Sequence, residues 1–155
     1  MLRVLFLLSA IAFDWSSATA SMDRDGWRTA PTTKSFAMLV DDTKAAIKAN
    51  KMGLVTQASA SDGARMQGLE IPGNRVLGVY RNDFARRMLE ASIAAGIEAP
   101  IRFYVTENDD GTATLSYKTP SHVFAPYMDE AGASLETLAI ELDAVFEAIF
   151  EAAIQ

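Results

Sequence analysis

The stretch Ile101–Lys118, IRFYVTENDDGTATLSYK, decides the fold. Ile101, Phe103 and Val105 alternate with Arg102, Tyr104 and Thr106. Beyond Asn108-Asp109-Asp110-Gly111, Ala113, Leu115 and Tyr117 alternate with Thr112, Thr114 and Ser116. Period-two alternation on both sides of an Asp-Gly turn predicts an antiparallel hairpin with one buried face. The buried face takes Phe103, Val105 and Leu115, and helices must come from elsewhere in the chain to cover it.

Upstream, Arg75–Arg81 is apolar on both sides (Val76, Leu77, Val79, Tyr80), which marks an internal strand. Asn82 or Asp83 then caps a helix running to about Ala95, with Phe84, Met88 and Leu89 inward and Gly96 as its stop. Leu54–Ala60 reads as a weaker strand, and Ser61–Gly73 as turn-rich with one helical turn near Ala64–Gln67. Ser35 N-caps a helix to Asn50 whose inward face is Phe36, Leu39, Val40, Thr43 and Ile47, closed by Met52-Gly53. A short first strand occupies about Trp27–Thr32. Downstream, Pro120 ends the hairpin, Pro126 and Gly132 punctuate a loop, and Ser134 opens a helix to the C-terminus. Leu135, Leu138, Leu142, Val145 and Ile149 form its stripe, and Phe146, Phe150 and Ala153 widen it beyond what a surface helix needs. Such a helix is expected to meet the sheet and a second surface.

The order β-α-β-β-α-β-β-α predicts a two-layer α+β domain with a mainly antiparallel sheet and helices on one face. Strict alternation leaves Gln57, Tyr80, Arg102, Tyr104, Thr106, Thr112, Thr114 and Ser116 on the opposite face.

The N-terminus carries an address. Arg3, the uncharged run Val4–Phe13 and Ala18-Thr19-Ala20 together make a secretory signal peptide over residues 1–20. Ten residues at about 1.5 Å each cover only half of a bilayer core of roughly 30 Å, so a spanning helix is disfavoured. Residues 21–30 read as a polar, partly mobile lead-in, and 31–155 as the single domain. The 155 residues hold no cysteine, which removes disulfides, thiolate metal sites and Cys nucleophiles. Export without disulfides fits a Gram-negative periplasm, with secretion as the broader possibility. With 14 Lys+Arg against 20 Asp+Glu and a pI near 4.7, the chain is a poor nucleic-acid binder.

Over residues 31–154 the chain resembles a bacterial family known as domain of unknown function 302. The resemblance rests on Ser35-Phe36, N-R-V-L-G-V-Y at Asn74–Tyr80, A-P-I-R-F-Y-V at Ala99–Val105, the D-G-T hairpin, and Y-K-T-P-S with F-A-P-Y within Tyr117–Tyr127. It implies a fold similar to the half-saddle of the TATA-binding protein: a curved antiparallel sheet with helices on one side, commonly dimeric. It implies no activity and no catalytic residues.

Candidate chemistry is sparse. Arg81 precedes a helix N-terminus, where backbone N–H groups favour an anion. Arg81, Asn82 and Arg102 are therefore a candidate site for a small anionic ligand, and Tyr80 and Tyr104 are candidate binding tyrosines beside Tyr117 and Tyr127. The competing reading pairs the arginines with Asp83, Glu90 and Glu98. His122 has no partner at ligand spacing, the methionines are scattered, and the Asn108–Gly111 turn lacks the acids of a calcium loop. No metal and no cofactor is expected. These features together suggest a periplasmic, non-enzymatic binding or interaction domain acting as a homodimer. The alternative is a small periplasmic enzyme using carboxylate, Tyr or Arg side chains on a small molecule.

Overall fold

In the computed structural model, which describes residues 24–155, the hairpin forms as its alternation predicts. Its strands pair antiparallel, with Phe103 opposite Tyr117 and Val105 opposite Leu115, all four buried. Asp110 Oδ1 accepts from the Thr112 backbone N–H at 3.0 Å, and Gly111 takes the left-handed φ of 80° that closes the turn. The expected signal peptide lies outside the described residues.

Outward from the hairpin the chain order is β1 (Trp27–Ser35), α1 (Phe36–Ala49), β2 (Gly53–Ala58), α2 (Ala60–Met66), β3 (Asn74–Tyr80) and α3 (Asn82–Ala91). The hairpin strands β4 (Ile101–Glu107) and β5 (Thr112–Lys118) follow, then α4 (Pro120–Phe124) and α5 (Met128–Ile154). Tight 3-10 turns occupy Ala94–Glu98 and Ala125–Tyr127. The five strands form one sheet in the order β1-β5-β4-β3-β2, with every pair antiparallel. The chain is thus a two-layer α+β domain, with helices packed on the face that carries Phe103, Val105 and Leu115.

Several elements differ from the sequence reading, each for a local reason. Helix α1 does start at its Ser35 cap, whose hydroxyl accepts from Met38 N–H at 3.4 Å. It ends at Asn50, and the left-handed residue is Lys51 (φ 59°), not Gly53. Met52 must bury its side chain, so the reversal comes one residue before it, and Gly53 already pairs with Tyr80 as strand. Helix α3 takes Arg81 as its N-cap without a side-chain bond, stops at Ala91, and leaves Leu89 45% exposed. The segment read as a loop is largely helical: Thr119 caps α4, accepting from His122 N–H, and Pro120 sits in its first turn, where a missing N–H costs nothing. Gly132 does interrupt the chain inside α5, at φ 60° and ψ −154°.

Helix α5 buries Leu135, Leu138, Leu142, Phe146, Ile149, Phe150 and Ala153. Phe146 stacks on Phe103 at 4.9 Å and 12°, and Phe150 tilts against Tyr117 at 5.4 Å. Helices α1, α3 and α4 pack against the remainder of the same stripe. The second surface expected for this helix is thus supplied by its own chain. Each large side chain fully buried here contributes about 1.5–3 kcal/mol.

Candidate functional site

Among the described residues no helix layer covers the opposite face of the sheet, and its side chains line up in rows across the strands. One row runs Thr29, Ser116, Tyr104, Val76, Ala58 from β1 to β2, each paired with the next. The adjacent row sets Trp27 opposite Lys118 and Arg102 opposite Gly78. Gly78 is obligatory here, since a Cβ would come within 2.0 Å of Thr56 Oγ1 and 2.9 Å of Pro100 Cγ. Thr56 occupies that place because of a bulge. Leu54 pairs with Val79 and Thr56 with Gly78, so Val55 is an extra residue. The bulge reverses the alternation beyond it, which turns Thr56 to the open face and puts Gln57 beside the buried Leu77.

These rows line an open groove of about 570 Å³. Val76, Ala58 and Ile101 give it apolar surface, and Tyr104 stands 37% exposed in it. Trp27, Lys118 and Val123 line it toward β1 and α4, and Ser59, Ala60 and Asn74 toward the start of α2. Lys118 Nζ lies 5.4 Å from the centre of the Trp27 ring, and the Arg24 guanidinium lies 5.5 Å from it. Two cations beside one indole hold the ring by charge–quadrupole attraction. Arg102 is exposed, and among the described residues no carboxylate pairs with it. The acid lining the groove, Glu98, accepts from the Tyr127 hydroxyl at 2.8 Å, and that bond raises the phenol's pKa.

Of the residues the sequence singled out, Arg102 and Tyr104 lie together in this groove. Tyr80, Arg81 and Asn82 do not. Tyr80 and Arg81 border a crevice of about 30 Å³ backed by Phe84, Met88 and Phe146, the volume of about one water. Arg81 is also engaged twice over. Its Nε and Nη2 donate to Asp83 at 2.7 and 3.1 Å, and its guanidinium sits 4.1 Å above the Phe84 ring. The bond from Arg81 lowers the Asp83 pKa, as an ion pair must. Tyr117 is a core residue: burial first, and then its bond to Glu147, raise its pKa well above the ordinary phenol range. Sequence reasoning missed Trp27, Lys118, Val76 and Ala58. Trp27 and Lys118 meet only because β1 docks beside β5, and Val76 and Ala58 gave no chemical signal.

Among the described residues no three of His, Asp and Glu converge as metal ligands, and no helix is long and apolar enough to cross a membrane.

The family model for Domain of unknown function DUF302 matches residues 28–153. The crystal structure of the uncharacterized conserved protein DUF302 from Bacillus stearothermophilus is similar, with a TM-score of 0.73 at 17% sequence identity. The alignment covers 84% of this chain and 99% of that one, a likeness of fold. No curated protein matches the chain.

Proposed function

Because the chain belongs to the DUF302 family, whose description assigns no chemistry, we propose a function from its groove: a non-enzymatic binding domain that holds a small ligand on the open sheet face. The observation that carries this reading is the groove itself, of about 570 Å³, largely apolar, crossed by Tyr104 and edged by Arg102, with which no carboxylate among the described residues pairs. That volume lies in the range of roughly 300–1,000 Å³ usual for small-molecule sites, and the pattern of apolar walls with few polar groups is theirs too. Against the enzymatic alternative stands the disposition of the polar groups. Glu98 is bound to Tyr127, and Lys118 faces an indole. Each is thus already engaged by a neighbouring side chain.

Native mass spectrometry of the protein from its own source tests the reading: a retained small molecule is expected. Tyr104→Ala should weaken its binding at least tenfold, since a central aromatic contact is lost. Binding unchanged by both Tyr104→Ala and Val76→Asp would place the ligand elsewhere and end the proposal.

We extend the proposal to place and assembly: a periplasmic domain acting as a homodimer. With the α5 stripe covered internally, the support for self-association comes from Leu89, Ile93 and Ile97. These are 45%, 83% and 80% exposed at the end of α3 and the turn after it. Sedimentation equilibrium should give a dimer for the wild type and a monomer for the Ile93→Asp/Ile97→Asp variant. A wild-type monomer at high micromolar concentration overturns the dimer.

A further inference from the structure

The groove's charge pattern narrows the ligand to one class. The chain as a whole is acidic, with a formal charge of −6, yet among the described residues the groove is lined by two cations, Arg102 and Lys118, against one carboxylate. That carboxylate, Glu98, already accepts a hydrogen bond from Tyr127. Arg24, on the Trp27 ring, adds a third positive charge at the same end. An acidic protein that gathers cations around an otherwise apolar groove favours an anion there and repels it elsewhere.

The remaining surface says what accompanies the charge. Val76, Ala58 and Ile101 offer no hydrogen bonds from their side chains, so the body of the ligand facing them must be apolar or it loses its water uncompensated. Polyphosphorylated ligands need several converging donors, commonly backbone N–H groups at a helix start, and at the start of α2 Ala60 N–H already donates to Asn74 Oδ1 and Asp62 N–H to Ser59 Oγ. An extended peptide recognised through its backbone would instead need a strand edge, and this groove lies on a sheet face. We propose that the groove binds an amphipathic monocarboxylate, with its carboxylate against Arg102 and Lys118 and its hydrocarbon along the Tyr104–Val76–Ala58 row. The guanidinium fork suits a carboxylate because two parallel N–H groups meet its two oxygens. This proposal rests on the groove being the binding site, and it adds the class of ligand.

Calorimetric titration of the full protein with decanoate, decan-1-ol and acetate tests it. Decanoate should bind at least tenfold more tightly than decan-1-ol, and acetate should show no saturable binding. Arg102→Gln should weaken decanoate about tenfold and leave decan-1-ol unchanged, the loss expected for one charge-assisted pair. Arg102 is exposed, so this variant should fold; Lys118→Gln gives an independent second charge deletion, and a thermal melt checks both. Rising salt should weaken decanoate and not the alcohol. Equal affinity for acid and alcohol overturns the carboxylate assignment while leaving the apolar groove in place. If decanoate fails to bind but a different molecule is retained and lost with Tyr104→Ala, the ligand class falls and the binding function stands. If nothing is retained and nothing binds, both fall.

Discussion

Tyr117 shows how a residue that looks like a binding group is taken into the core. Its ring lies between Phe103, Phe146 and Phe150, and its hydroxyl donates to Glu147 Oε2 at 2.7 Å. Arg28 grips the same carboxylate, with Nε at 3.0 Å from Oε2 and Nη2 at 2.5 Å from Oε1. Burial alone would raise the Glu147 pKa, but the bonds from Arg28 and Tyr117 outweigh it and hold the pKa below the ordinary value of 4.5. A lowered carboxylate contributes stability that is present above its unfolded pKa and is lost as pH falls through the folded one. The raised phenol acts at the other end. Its contribution is complete below 10.0, the unperturbed value, and fades as pH climbs through the folded pKa. Melting temperature against pH should therefore hold level between these limits and decline on both sides. Tyr117→Phe should cost about 1 kcal/mol in urea denaturation, because Glu147 keeps Arg28 as a partner. The variant should also lose most of the alkaline decline.

A second residue-scale test concerns Gly26. Its φ is 72°, and a Cβ there would come 2.0 Å from His122 Cγ. Gly26→Ala should lower stability by about 1–2 kcal/mol for the left-handed backbone alone, plus whatever displacing the imidazole costs. Guanidinium titration reads the sum.

Among the elements, what could be read from sequence depended on whether a segment's own pattern decided its structure. The hairpin was legible because alternation and turn chemistry agree within eighteen residues, 101–118. Strand β2 was legible as a strand but not by face, because the Val55 bulge leaves no mark in composition. Helix α4 was hidden by its proline, which reads as a breaker although the first helical turn accepts it. The site followed the same division. Alternation correctly sent Arg102 and Tyr104 to the open face. The anion site read at the N-terminus of α3 is split: Arg102 lies in the groove, while Arg81 lies outside it with its charge taken up by Asp83, two positions on. Trp27 could be placed only by the strand order. Helix α5 supplies the element-scale prediction: Phe146→Ala should cost about 3–5 kcal/mol, because Phe103, Tyr117 and α5 would face a cavity together. Val145→Ala, on the half-buried flank of the same helix, should cost clearly less. Chemical denaturation of the pair checks the ranking.

At the scale of the molecule, the core is assembled from Leu39 onward: every buried apolar residue among those described lies between Leu39 and Ala153. Residues 1–20 are expected to be removed on export, and a chain beginning at Ser21 should then fold cooperatively. N-terminal sequencing of the periplasmic fraction should return Ser21, and intact Met1 in a soluble cytoplasmic pool would refute the export proposal.

The strand order has a temporal meaning as well. β1 is made first, yet its sheet partner β5 comes near the end of the sequence, and Arg28 is joined to Glu147 across 119 positions. A nascent chain therefore cannot pair its leading strand until β5 has been made, nor close the Arg28–Glu147 contact until most of α5 has followed, because loop closure must precede those contacts. While the ribosome still holds α5, Arg28 lacks its Glu147 partner and the sheet lacks the helix that stacks on Phe103 and Tyr117. Under the proposed export, a chain threaded front end first through a translocation pore would complete its core only when α5 arrives on the far side.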